Sequence, residues 1–165
     1  MVRRNPLTPF VFDNGEQVLI RPVSPFTLLE AKETVLKPKP PVQKVKYGEQ
    51  EVEESNPAHP DYIAAMEEYN ATLNRVSRDL VIKRGVVVNL DDEQRESVAE
   101  LRKFWMEEYG KPLSGNDTFL YVTHFCIKTK DDIDRLINAV SSIGEPTPEA
   151  VLAAQESFPA TLPGA

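Results

Sequence analysis

The sequence predicts a mainly α-helical α+β fold, a compact bundle of about four to five helices preceded by a small β-hairpin part. Three observations carry that expectation. Nine of the fourteen prolines fall in the first sixty residues, and none lies between Pro60 and Pro112. Proline withholds a backbone donor and breaks helix interiors, so the chain divides into an extended beginning and a helical remainder. Apolar residues then recur at helical spacing. Each expected helix of the second half also has its own start and stop signal, so local and global cues agree.

The extended beginning holds two expected hairpins. Between Phe10 and Ile20, Asn14-Gly15 predicts a two-residue turn, because both residues tolerate positive φ. Around Gly48-Glu49 a Gly-X turn pairs Tyr47 with Gln50, Lys46 with Glu51, Val45 with Val52 and Lys44 with Glu53. That register sets two Lys–Glu pairs on one face and a valine pair on the other, which is favourable cross-strand chemistry. Between the hairpins, Ser24-Pro25 predicts an N-cap and a first-turn proline for a short helix through Ala31. Lys37-Pro38-Lys39-Pro40-Pro41 reads as a stiff connector.

A long helix is expected from Pro60 to just before Gly85. Tyr62, Met66, Tyr69, Leu73, Val76 and Leu80 recur at spacings of 4, 3, 4, 3 and 4, three heptads of an apolar seam. Burying six such side chains is worth roughly 9–18 kcal/mol before entropy. The seam therefore packs on the rest of the fold, around Trp105 and Leu136, or serves an outside partner. As partner-binding candidates its members are these six residues.

The next helix runs from Asp92 to Tyr109, capped by Asp91 with Gln94 as its reciprocal partner and ended by Gly110. Asn116 to Lys128 is apolar on most sides and predicts a central helix. Thr129 and Asp132 open another through Val140 to Gly144, and Thr147-Pro148-Glu149 opens a last one to Phe158. The expected organisation is residues 1–55 as the hairpin part, 56–158 as the helical domain and 159–165 as a flexible tail.

Composition narrows the function classes. The formal charge is −7, and from Gln50 to Glu68 there are six acids and no Lys or Arg. Nucleic-acid binding requires a basic face to displace counterions, and the only basic stripe is Lys37, Lys39, Lys44 and Lys46. No stretch approaches the ~20 apolar residues of a membrane span. The beginning of the chain lacks the apolar run of a signal peptide. With one cysteine no intramolecular disulfide forms. These features predict a cytoplasmic, non-secreted protein that binds neither nucleic acid nor membrane.

No catalytic constellation stands out. The two histidines and one cysteine fall short of the four N/S donors of a structural zinc site. His124 and Cys126, two apart, point to different sides of a helix. Asp131-Asp132-Ile133-Asp134 resembles a cation site but occupies a helix first turn, where acids complement the macrodipole. Phosphate loops and Gly-x-Ser-x-Gly elbows are absent from the sequence. The chain is accordingly expected to be no enzyme, with no cofactor and no metal.

Pro40-Pro41-Val42, Val45-Lys46-Tyr47-Gly48, and Glu54-Ser55-Asn56-Pro57-Ala58-His59-Pro60-Asp61-Tyr62 carry a family likeness, joined by Thr147-Pro148-Glu149-Ala150-Val151 and Ser157-Phe158. On these segments the chain resembles the tail assembly chaperones and related small tail-module proteins of long-tailed phages. The resemblance implies a helper in the bacterial host cytoplasm that binds and solubilises the tape-measure protein while the tail tube polymerises around it. Its implied partners are the tape measure or another tail protein, with self-association left open. Two alternatives stand beside it: a structural or adaptor protein of the tail or virion, and an unrelated non-enzymatic protein-binding module. No residue role is carried over from the family.

Overall fold

A computed structural model describes residues 7–143. The helix expected from Thr147 to Phe158 and the tail after Pro159 lie outside them. The order of elements is β1 (Thr8–Val11), β2 (Gln17–Ile20), α1 (Phe26–Thr34), β3 (Val42–Tyr47), β4 (Gln50–Ser55), α2 (Pro60–Gly85), β5 (Val86–Val87), α3 (Asp92–Tyr109), α4 (Asp117–Tyr121), a π-helical turn (Val122–Cys126) and α5 (Lys130–Ser142). The fold is α+β and mainly helical, with two small antiparallel sheets.

The first sheet has the order β1-β2-β5. Its hairpin turns differently from the expectation. Val11 pairs with Gln17, Phe12 N–H donates to Glu16 O at 2.9 Å, and Gly15 N–H donates to Phe12 O at 3.0 Å. Only Gly15, at φ 86°, takes the left-handed conformation. Asn14 instead uses its side-chain oxygen to accept from Glu16 N–H. The loop is thus a three-residue turn ending in a left-handed glycine, the next most favoured hairpin connection. It leaves Phe12 buried and strand β2 alternating, with Val18 and Ile20 inward and Gln17 and Leu19 outward.

The sheet is completed from far along the chain. Leu19 pairs with Val87 and Ile20 with Val86. Phe12, Val18 and Ile20 share one core with Ile82 and Val86, Val98 of α3, Leu120 and Val122, and Leu136 and Val140 of α5. The core therefore runs across the 55/56 division expected from the sequence.

The start signals of α3 and α5 operate as read. Asp91 and Gln94 form a reciprocal capping box on α3, and Gly110 ends it at φ 66°. Thr129 and Asp132 do the same at α5. His59 Nδ1 accepts from Asp61 N–H ahead of Pro60 at the start of α2. The segment from Asn116 is central, with Leu120, Val122 and Cys126 buried, but it is not one helix. After five residues it widens into the π-helical turn, closed by Ile127 N–H donating to Val122 O at 2.9 Å. That widening turns Cys126 into the core and leads the chain into Thr129.

Candidate partner-binding surface

Cys126 and Asp132 are both held inside the fold. Cys126 is fully buried, and burial pushes its thiol up to about 12. It stays protonated and sterically closed, so alkylation by iodoacetamide should proceed only as fast as global unfolding. The check is to follow labelling against denaturant; labelling at the rate of a free thiol in native buffer contradicts it. Asp132, in the acidic run, is 0% exposed and accepts hydrogen bonds from its surroundings. Asp13 N–H and the Arg135 guanidinium reach its Oδ1 at 3.0 and 3.1 Å. Lys128 N–H and Thr129 N–H reach Oδ2 at 3.1 and 3.3 Å. Its oxygens are spent on holding the β1–β2 turn against α5. Among the described residues no group of three or more His, Cys, Asp or Glu side chains converges as a metal site. No described helix is long and apolar enough to cross a membrane.

The seam on α2 lies elsewhere. Tyr62, Met66, Tyr69, Leu73, Val76 and Leu80 are all partly buried, and none belongs to the core. Helix geometry explains why. At about 100° per residue, the core-facing positions Val81, Ile82 and Gly85 lie roughly 100–160° round α2 from the midline of the seam. Trp105, a neighbour expected for it, packs instead on Tyr109 within α3, ring centroids 4.4 Å apart and planes tilted by 41°. Leu136 is in the core.

What lies over the seam is α1 and the connector after it. Arg84, in the same angular sector as the seam, donates to Thr27 Oγ1 at 3.2 Å and to Glu30 Oε1 at 2.7 Å. Thr27 and Ala31 are buried by this contact. Further toward the start of α2, Val35, Leu36 and Pro38 line a pocket with Ala65, Tyr69 and Thr72. Pro38 and Pro41 line another with Tyr62 and Ala65. The cover is incomplete, and it is itself apolar outward: Phe26 is 73% exposed and Leu36 93%, with Leu28 and Leu29 also open. Behind α1, a groove of about 370 Å³ between α1, α2 and α5 is lined by Val23, Leu28, Val81, Ile137 and Val140.

The six candidates thus share one face of α2, and Phe26, Leu29 and Leu36 are open apolar residues of α1 and its connector, Leu36 lining a pocket with Tyr69. Those three were not singled out from sequence. The available signal was that Phe26, Leu28, Leu29 and Ala31 point to every side of a helix of nine residues, more than one neighbour buries.

Comparison with protein-family models, with curated proteins and with solved structures gave no match to this chain.

Proposed function

We infer that this chain is a non-enzymatic assembly factor that shields a helical partner, and that the partner is the tape-measure protein of a long-tailed phage. The observation that carries the binding role is the three-heptad seam on the side of α2 turned away from the core, half covered by a helix with open apolar residues of its own. An apolar face of this kind suits a helix-in-groove contact. Tyr and Met in the seam are adaptable contact residues. The net charge of −7 keeps a complex with an aggregation-prone helical chain in solution. The tape measure as the partner rests on the family likeness of the segments from Pro40 to Tyr62.

The test is co-expression with the tape-measure protein encoded alongside, followed by pull-down and light scattering. The tape measure should become soluble and co-purify. Leu73→Asp should weaken the complex about 10–100-fold, the loss of one well-buried leucine contact. Leu29→Asp, at an already exposed site on α1, should weaken it without changing thermal stability. A tape measure that stays insoluble beside well-folded protein rejects the reading.

A second reading, a structural or adaptor protein retained in the tail, is favoured by the exposed β3–β4 hairpin, whose open edges suit a lasting assembly. Mass spectrometry of purified virions separates the two. The assembly factor is missing from finished particles, and the adaptor is present at fixed copy number.

A further inference from the structure

β3 and β4 form a two-stranded arm in the predicted register, Lys44 opposite Glu53 and Lys46 opposite Glu51. Gly48 takes positive φ in the turn. At the base, Asn56 N–H donates to Pro41 O at 2.8 Å. Hydrogen-bonded and non-bonded pairs alternate along an antiparallel ladder. Counting from Pro41/Asn56, the internally bonded residues are the odd ones of β3 and their partners. The backbone groups of Lys44 and Lys46 therefore point out of the β3 edge, and those of Glu51 and Glu53 out of the β4 edge. Among the described residues no backbone partner meets either edge.

The side chains of these same four residues share one face, with Lys44 Nζ 3.9 Å from Glu51 Oε2. One edge of the arm is cationic and the other anionic. Two copies meeting by like edges would set Lys opposite Lys or Glu opposite Glu, which is destabilising. Meeting by unlike edges continues the Lys–Glu ladder and pairs the outward backbone groups of both copies. Edge lysines commonly guard against strand addition; here the guard acts against like edges only. An isolated two-stranded hairpin is marginal in water, so added strands also stabilise the arm.

We propose that the arm is a self-assembly device: the β4 edge of one copy pairs antiparallel with the β3 edge of a second copy of this chain. The contact is heterologous. Every joined pair leaves one edge of each kind free, so it builds rings or open filaments and not a closed twofold dimer.

The experiment is light scattering of the full chain across concentration and salt, with two edge-blocked variants. Lys46→Pro and Glu53→Pro each remove one outward N–H and none of the arm's internal bonds, the position a strand tolerates proline. The wild type should grow past twice the single-chain mass of 18.6 kDa as concentration rises, and shrink with added salt. Each variant alone should stay at the single-chain mass. Their equimolar mixture should give twice that mass and nothing larger, because one supplies a free β4 edge and the other a free β3 edge. A wild type that stays single at every concentration overturns the proposal and leaves the edges for a strand of another protein. So does association lost in one variant only, the mark of like-edge pairing, or in neither. Should a variant misfold, amide exchange in the wild type decides. The Lys44, Lys46, Glu51 and Glu53 amides should slow with concentration, and unchanged exchange rejects the contact.

Discussion

Replacing Asp132 with alanine should lower stability by about 3 kcal/mol, a large share of what a domain of this size possesses. The substitution strips the acceptor from three backbone N–H groups and from Arg135 at a site closed to water. It also weakens the tie between the first hairpin and α5, because Asp13 N–H loses its partner and of this link only the Arg135–Asp13 ion pair remains. Asp134→Ala, two residues further on, exposed and outside these hydrogen bonds, should change stability by no more than about 0.5 kcal/mol. Urea unfolding of both variants checks the contrast. Equal effects would mean that Asp132 is an ordinary first-turn acid.

The same carboxylate sets a pH dependence. Burial acting alone would raise its pKa, but the N–H groups of Asp13, Lys128 and Thr129, with the Arg135 guanidinium, outweigh it and hold the group below the usual carboxylate range. The unfolded chain thus takes up the proton first, at about pH 3.9. The stabilisation is fully present above that value and disappears as pH falls through the lower folded-state pKa. Wild type should lose stability more steeply below pH ~4 than Asp132→Ala does. Parallel acid titration curves for the two would reject the assignment.

Gly85→Ala should destabilise by about 1–3 kcal/mol, an overpacking cost in a site with no room to relax. A methyl group there would meet Val140 Cγ1 at 2.7 Å and Val23 Cγ2 at 3.0 Å. The backbone cannot retreat easily, since Gly85 O accepts from Arg21 N–H at 2.8 Å and Val86 follows directly into the sheet. Because the clash is steric, removing the obstruction should relieve it. Gly85→Ala should cost less on a Val140→Ala background than on the wild type, a coupling readable in a double-mutant cycle. Strict additivity would mean that the glycine serves the helix end and not the close approach of α2 to α5.

What the sequence disclosed follows the range of the forces involved. Caps, the arm's register and the helix starts are set within four or five residues, and Asp91/Gln94, Thr129/Asp132 and Gly48-Glu49 announce themselves. The first hairpin was legible as a hairpin, but Asn14-Gly15 fits two turns, and the choice depends on burying Phe12 in a core assembled from distant segments. Strand β5, Val86–Val87, is too short to carry a pattern; only its pairing with β2 makes it a strand. Asp132 showed its capping role and hid its larger one, because Asp13 lies 119 residues away. For the seam, spacing placed Tyr62 to Leu80 on one face and was silent on its neighbour. Which side of α2 met the core was decided at its far end, by Val81, Ile82 and Gly85.

That orientation is the basis of the functional account, and amide hydrogen exchange of the chain with and without the tape-measure protein tests it most directly. The account predicts new protection in residues 62–80 and 26–36, with core segments around Leu120 and Leu136 unchanged. Protection confined to α3 or to the first sheet, with α2 exchanging as in the free protein, would contradict it and move the binding surface elsewhere.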